Sequence, residues 1–96
     1  MFTGIIEEIG TVTSMVQSAN GKLISISAHT VLEGTQAGDS ICIDGVCQTV
    51  TQMGNDYFTA FASDVTLSIT TLGTLKQGTK VNLERAMQLQ GRFGGH

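Results

Sequence analysis

Apolar residues recur at every second position along most of this chain, and no long segment sustains helical spacing. That pattern predicts short strands separated by turns. The first strand is expected at 9–16, a stretch rich in Thr, Val and Ile, with Ser18-Ala-Asn-Gly21 as the turn after it. Segment 22–28 alternates Ile24, Ile26 and Ala28 on one face with Ser25 and Ser27 on the other, as a half-buried strand does, with Leu23 as the exception. Residues 30–34 allow one helical turn, with Gly34 placed to stop it. Segments 40–43 and 46–53 flank Asp44-Gly45, and Asp-Gly between two strand-like runs is a strong signal for a tight hairpin. After Gly54-Asn-Asp56 comes a strand at 57–62. Ser63 or Asp64 then caps a short helix running to about Thr71 and ended by Gly73. The last strand is expected at 80–84, before segment 86–89 and a loose tail at 91–96. Segments 38–43 and 78–83 repeat one device, a glycine turn entering alternating apolar positions. Six strands spaced near ten residues apart suit a small closed antiparallel barrel with short helical turns, because closure removes exposed strand edges.

The chain has 96 residues, which fits one domain, and its 41% hydrophobic content supports a core without metal or disulfide staples. A net charge of −3 offers no footprint for nucleic acid. No apolar run approaches the about 20 residues of a membrane span or forms a signal-peptide core, so a cytoplasmic location and no membrane partner are expected. Cys42 and Cys47 stand apart from His29 and His96, so a metal site is not expected and two separate thiols are. None of the common local catalytic motifs occurs. On residue type alone Cys47 is a small buried hydrophobe, Ser40 and Thr49 are strand hydroxyls, and Asp64 is a helix cap. His29 belongs to a surface loop, and Met53, Phe58 and Phe61 fill the core.

Several signatures together change this reading. Met1-Phe-Thr-Gly-Ile-Ile6 opens the chain, Asp44-Gly-Val-Cys-Gln-Thr-Val50 lies in the middle, and Val81-Asn-Leu-Glu-Arg-Ala86 is followed by Gly94-Gly-His96. Thr66-Leu67 and Thr70-Thr-Leu-Gly73 fit the same pattern, so that the whole chain resembles the amino-terminal barrel of riboflavin synthase. The resemblance implies an all-β, six-stranded antiparallel Greek-key barrel over 1–90, with 91–96 as tail or the start of a linker to a second, similar barrel. It also implies the family's reaction, in which two molecules of 6,7-dimethyl-8-ribityllumazine yield riboflavin and 5-amino-6-ribitylaminouracil by transfer of a four-carbon unit. No metal or redox cofactor is then required. The active site is expected where this barrel faces the second barrel of a neighbouring subunit, in a homotrimer of the full-length parent. The 96 residues alone are expected to bind ligand with little or no turnover and to pair as a homodimer.

Carried over position by position, Phe2, Ser40 and Cys47 fall near the reacting carbons. Substrate contacts are implied for Gly4, Ile5 and Ile6 beside the ring and for Cys47, Gln48 and Thr49 at the ring edge and ribityl chain. Phe61, Ala62, Ser63, Asp64, Val65 and Thr66 would form a third wall. A flat heteroaromatic needs such a slot, apolar with a few placed polar groups. Two departures stand out: Gln48 replaces the family's usual leucine, and Asp64-Val-Thr-Leu-Ser68 replaces a frequent Lys-Glu-Thr-Leu-Arg. Val65 and Ser68 thereby remove an acceptor for ribityl hydroxyls and a charge-assisted donor. The alternative is a non-catalytic lumazine- or flavin-binding protein of the fluorescent antenna type, which shares the barrel.

Overall fold

Residues 2–86 are described by a computed structural model, in which six strands close into an antiparallel barrel. They are β1 (Glu8–Ser18), β2 (Gly21–Ser27), β3 (Ser40–Ile43), β4 (Val46–Met53), β5 (Tyr57–Ser63) and β6 (Lys80–Arg85). Around the barrel they run β1-β2-β5-β4-β3-β6. Three successive hairpin strands, β3 to β5, are thus followed by a fourth that returns beside the first of them, which is the Greek-key order. The expected barrel is present. The tail at 91–96, the boundary at 90 and segment 87–89 lie outside the described residues.

Local chemistry accounts for the turns. Asp44 and Gly45 both take positive φ, 47° and 84°, as a two-residue hairpin of the type that follows strand twist demands. Asp44 is also stapled to β6: its backbone N–H donates to the carbonyl of Asn82 (2.8 Å), and its Oδ1 accepts from the Asn82 amide (2.7 Å). Register shifts at Val12/Ser14 in β1 and at Val50/Gln52 in β4 mark irregularities of the kind that let strands bend into a barrel.

Alternation puts Ile24, Ile26, Ile41, Ile43, Val50, Phe58, Ala60, Ala62, Val81 and Leu83 inside the barrel. Val31 from the 3-10 turn Thr30–Leu32 and Leu72 from the connection before β6 close over them. The core expectation holds for Phe58, fully buried, and for Met53, which packs against the cluster. It fails for Phe61, which sits half-buried outside the core. In β5, Ala60 and Ala62 take the inward positions on either side of it, so the Phe61 ring lies on the outer surface over Gly21.

The expected single helix to Thr71 is also corrected. Helix α1 spans Asp64–Ile69, with Ser63, not Asp64, as its cap: Ser63 Oγ accepts from the Thr66 N–H at 3.2 Å. Thr70 is extended (φ −128°, ψ 171°) and caps a separate 3-10 turn, Thr71–Thr74. Gly73 lies within that turn and does not end α1. It is small because a Cβ there would fall 2.1 Å from the Leu67 carbonyl oxygen. No helix among the described residues is long and apolar enough to cross a membrane.

Candidate functional site

The outer face of β3 and β4 follows from register. Ser40 pairs with Thr49 and Cys42 with Cys47, while Ile41 and Ile43 point inward between them. On β6, Glu84 lies opposite Cys42, so Glu84, Cys42 and Cys47 form a row across three strands. Segment 2–6 crosses this row as a strap. The Thr3 amide (2.6 Å) and hydroxyl (2.8 Å) donate to Glu84 Oε2, and the Gly4 amide reaches both carboxylate oxygens at 3.2 Å. Behind the strap, Glu7 is gripped by Arg85, whose Nε donates to Oε1 (3.0 Å) and Nη2 to Oε2 (2.9 Å).

Between strap, hairpin tip and β6 opens a cavity of about 700 Å³. Phe2, Gly4 and Ile6 line it from the strap, and Cys42, Asp44, Gly45 and Cys47 from the hairpin. Asn82, Leu83 and Glu84 on β6 and Thr71 complete the wall. Burial, and after it the neighbouring Glu84 charge, push the Cys42 thiol up, so it stays protonated near neutrality. The donors from Thr3 hold the Glu84 carboxyl below its ordinary range. Among the described residues, no group of three or more His, Cys, Asp or Glu is placed to hold a metal ion.

The structure divides the residues singled out from the sequence. Phe2, Gly4, Ile6 and Cys47 meet at the cavity, and Cys47 is exposed on the outer face, not buried as its residue type alone suggested. Ser40 and Thr49 continue the same outer face from Cys47. Phe61 and Ser63 take the outward positions of β5, and Ser63 joins Thr66 through its cap bond and a hydroxyl contact of 3.1 Å. Gln48 and Ala62 are buried on the inward side of their strands. The Gln48 side-chain amide is spent on the Cys47 carbonyl (2.6 Å), so toward the outside these two residues can present only backbone groups. Ile5, Asp64 and Val65 are exposed, and like Ser40, Gln48, Thr49, Phe61, Ala62, Ser63 and Thr66 they do not line the cavity. Sequence reasoning passed over Cys42, Asp44, Asn82 and Glu84 as cavity residues. A signal existed for Cys42, because a two-residue turn at Asp44-Gly45 sets it opposite Cys47.

The cavity is mixed in character, with an aromatic and aliphatic side from the strap and polar groups from the hairpin and β6, and among the described residues no lysine or arginine lines it. Such a slot suits a neutral planar ring with hydrogen-bonding edges.

Comparison with known proteins gives the family and the fold. Residues 3–86 match the lumazine binding domain. The chain is 47% identical over 96 residues to riboflavin synthase of Bacillus subtilis, and 44% identical over 105 residues to that of Meyerozyma guilliermondii. All of this chain is matched in both cases, against 45% and 44% of the relatives, so it spans less than half of their length. Among solved structures, LumP complexed with 6,7-dimethyl-8-(1'-D-ribityl)lumazine superposes with a TM-score of 0.81 at 27% identity, covering 88% of this chain and 49% of that one. LumP complexed with riboflavin gives 0.79 at 29% identity, covering 88% and 47%.

Proposed function

Because this chain belongs to the lumazine-binding domain family, we propose that it is the ligand-binding amino-terminal barrel of a riboflavin synthase, taking 6,7-dimethyl-8-ribityllumazine as substrate and riboflavin as product. The observation that carries this reading is the meeting of Phe2 and Cys47 at one cavity beneath the strap. The relatives named riboflavin synthase are 41 to 47% identical, against 27 to 29% for LumP, which favours the synthase over a binding-only protein.

In this reading the ring lies in the cavity beside Gly4 and Ile6, with Phe2 and Cys47 near the reacting carbons. The ribityl chain runs along the outer face toward Ser40, Thr49, Ser63 and Thr66, whose hydroxyls suit a polyol. The Thr66 hydroxyl is already oriented by Ser63. Ile5, Asp64 and Val65 then meet the facing barrel, from the same or a neighbouring subunit, and exposed Ile9 adds to that surface. The reaction moves a four-carbon unit between two lumazines, so it requires two ring sites face to face. The 96 residues supply one, which is why they bind with little turnover alone and pair as a homodimer, whereas a full-length parent would assemble as a trimer.

The test is riboflavin formation from 6,7-dimethyl-8-ribityllumazine by the full-length parent, alongside riboflavin titration of the 96-residue chain followed by flavin fluorescence. Product from the parent and saturable binding by the chain are expected. Binding by both with no product from the parent would replace the synthase with a binding-only protein.

A further inference from the structure

The strap is held in an unusual way. Ile5 and Ile6 are 68% and 54% exposed, so of its apolar side chains only the half-buried Phe2 packs appreciably. Among the described residues, every hydrogen bond from segment 2–6 to the barrel ends on one carboxylate, that of Glu84. The next attachment is at Glu7, whose amide donates to the Leu83 carbonyl (2.8 Å) and whose carboxylate is taken by Arg85. Among the described residues, losing Glu84 would leave Glu7 as the nearest hydrogen-bonded anchor of the strap, and half-buried Phe2, at its far end, would be held less firmly in the cavity wall.

We propose that Glu84 is a positioning residue, a clamp that sets the strap and with it Phe2 against Cys47. That this clamp serves a ligand rests on the reading of the cavity given above. An ionised carboxylate suits the task, since its two oxygens have lone pairs for all three donors and charge-assisted bonds are the stronger kind. A glutamine offers one acceptor oxygen and turns an NH2 group toward the remaining donor. Register supplies the alignment: Glu84 faces Cys42 and Cys42 faces Cys47, so fixing Thr3 and Gly4 over Glu84 lays the strap across the row that contains the cavity thiols. The Cys42 thiol, kept protonated, adds no second negative charge beside the clamp.

The clamp is tested on the 96-residue chain with Glu84→Ala and Glu84→Gln, by amide hydrogen exchange and by titration with riboflavin as the probe. The variants are expected to fold, because Glu84 points away from the barrel interior. Exchange at the Thr3 and Gly4 amides should accelerate by about tenfold or more in Glu84→Ala, as expected for losing charge-assisted bonds. Core amides such as Ile24 and Phe58 should change far less, and Glu84→Gln should fall between. Riboflavin affinity should drop about tenfold in parallel. Unchanged strap exchange in Glu84→Ala would overturn the clamp, and accelerated exchange with unaltered riboflavin affinity would overturn its positioning role. Failure of the unmodified chain to bind riboflavin would defeat the ligand reading while the exchange data still decide the clamp.

Discussion

Thr49 illustrates how a single side chain takes on meaning from its surroundings. Inward neighbours Gln48 and Val50 are committed to the core, and the Cys47 carbonyl already accepts from Gln48, so Thr49 offers the outer face a hydroxyl directly opposite Ser40. If that hydroxyl meets a ribityl group, Thr49→Val keeps the shape and leaves a ligand polar group unpaired, which should weaken riboflavin binding by about 1 to 3 kcal/mol. A superimposable titration curve for the variant would place Thr49 outside the site. Cys47 and Thr49 were named as candidates through the family resemblance, whereas Glu84 entered the sequence reading only as one letter of a motif. Its partners Thr3 and Gly4 lie 81 and 80 residues away, and no local spacing shows a bond that only barrel closure makes.

Strands were legible because period two and glycine turns act locally, and each tight turn then sets a register. Asp44-Gly45 fixed the pairing of Ser40 with Thr49, and so the outer face on which the candidate site lies. The end of α1 was not legible. Threonines are ordinary helix-interior residues as well as caps, and what separates Thr70 from its neighbours is an extended backbone whose hydroxyl accepts from the Leu72 amide. Phe61 was misplaced for a similar reason, since its type fits a core and only the strand's phase turns it outward. That phase has a measurable consequence at Gly21. A Cβ there would sit 2.2 Å from the Ala62 carbonyl oxygen and 2.6 Å from the Phe61 ring. Gly21→Ala must therefore push β2 from β5 or displace Phe61, and should cost about 1 to 3 kcal/mol in denaturant unfolding. It should also weaken riboflavin binding if Phe61 belongs to the pocket wall.

For the molecule as a whole, acid is the revealing condition. The carboxyl of Glu84 is lowered chiefly by the Thr3 amide, then by the Thr3 hydroxyl, against an ordinary value of 4.5. Between the two values the folded chain binds fewer protons at this site than the unfolded chain, so stability falls as pH falls. The contribution is complete above about 4.5 and disappears as the pH drops through the lowered folded value. Thermal unfolding followed from pH 6 downward should show this loss in the unmodified chain and a shallower one in Glu84→Gln. Parallel slopes would mean that the strap bonds do not contribute to folding.

In a closed ring each strand has a neighbour on both sides, so little of it is open to a foreign segment joining by backbone hydrogen bonds. A protein partner that meets this barrel therefore recognises it chiefly through side chains, such as the exposed Ile5, Ile6 and Ile9. Recognition and folding are thereby uncoupled: substitutions on that surface can change or abolish a partner while every rung of the barrel stays in place, so the same shell is free to acquire different companions.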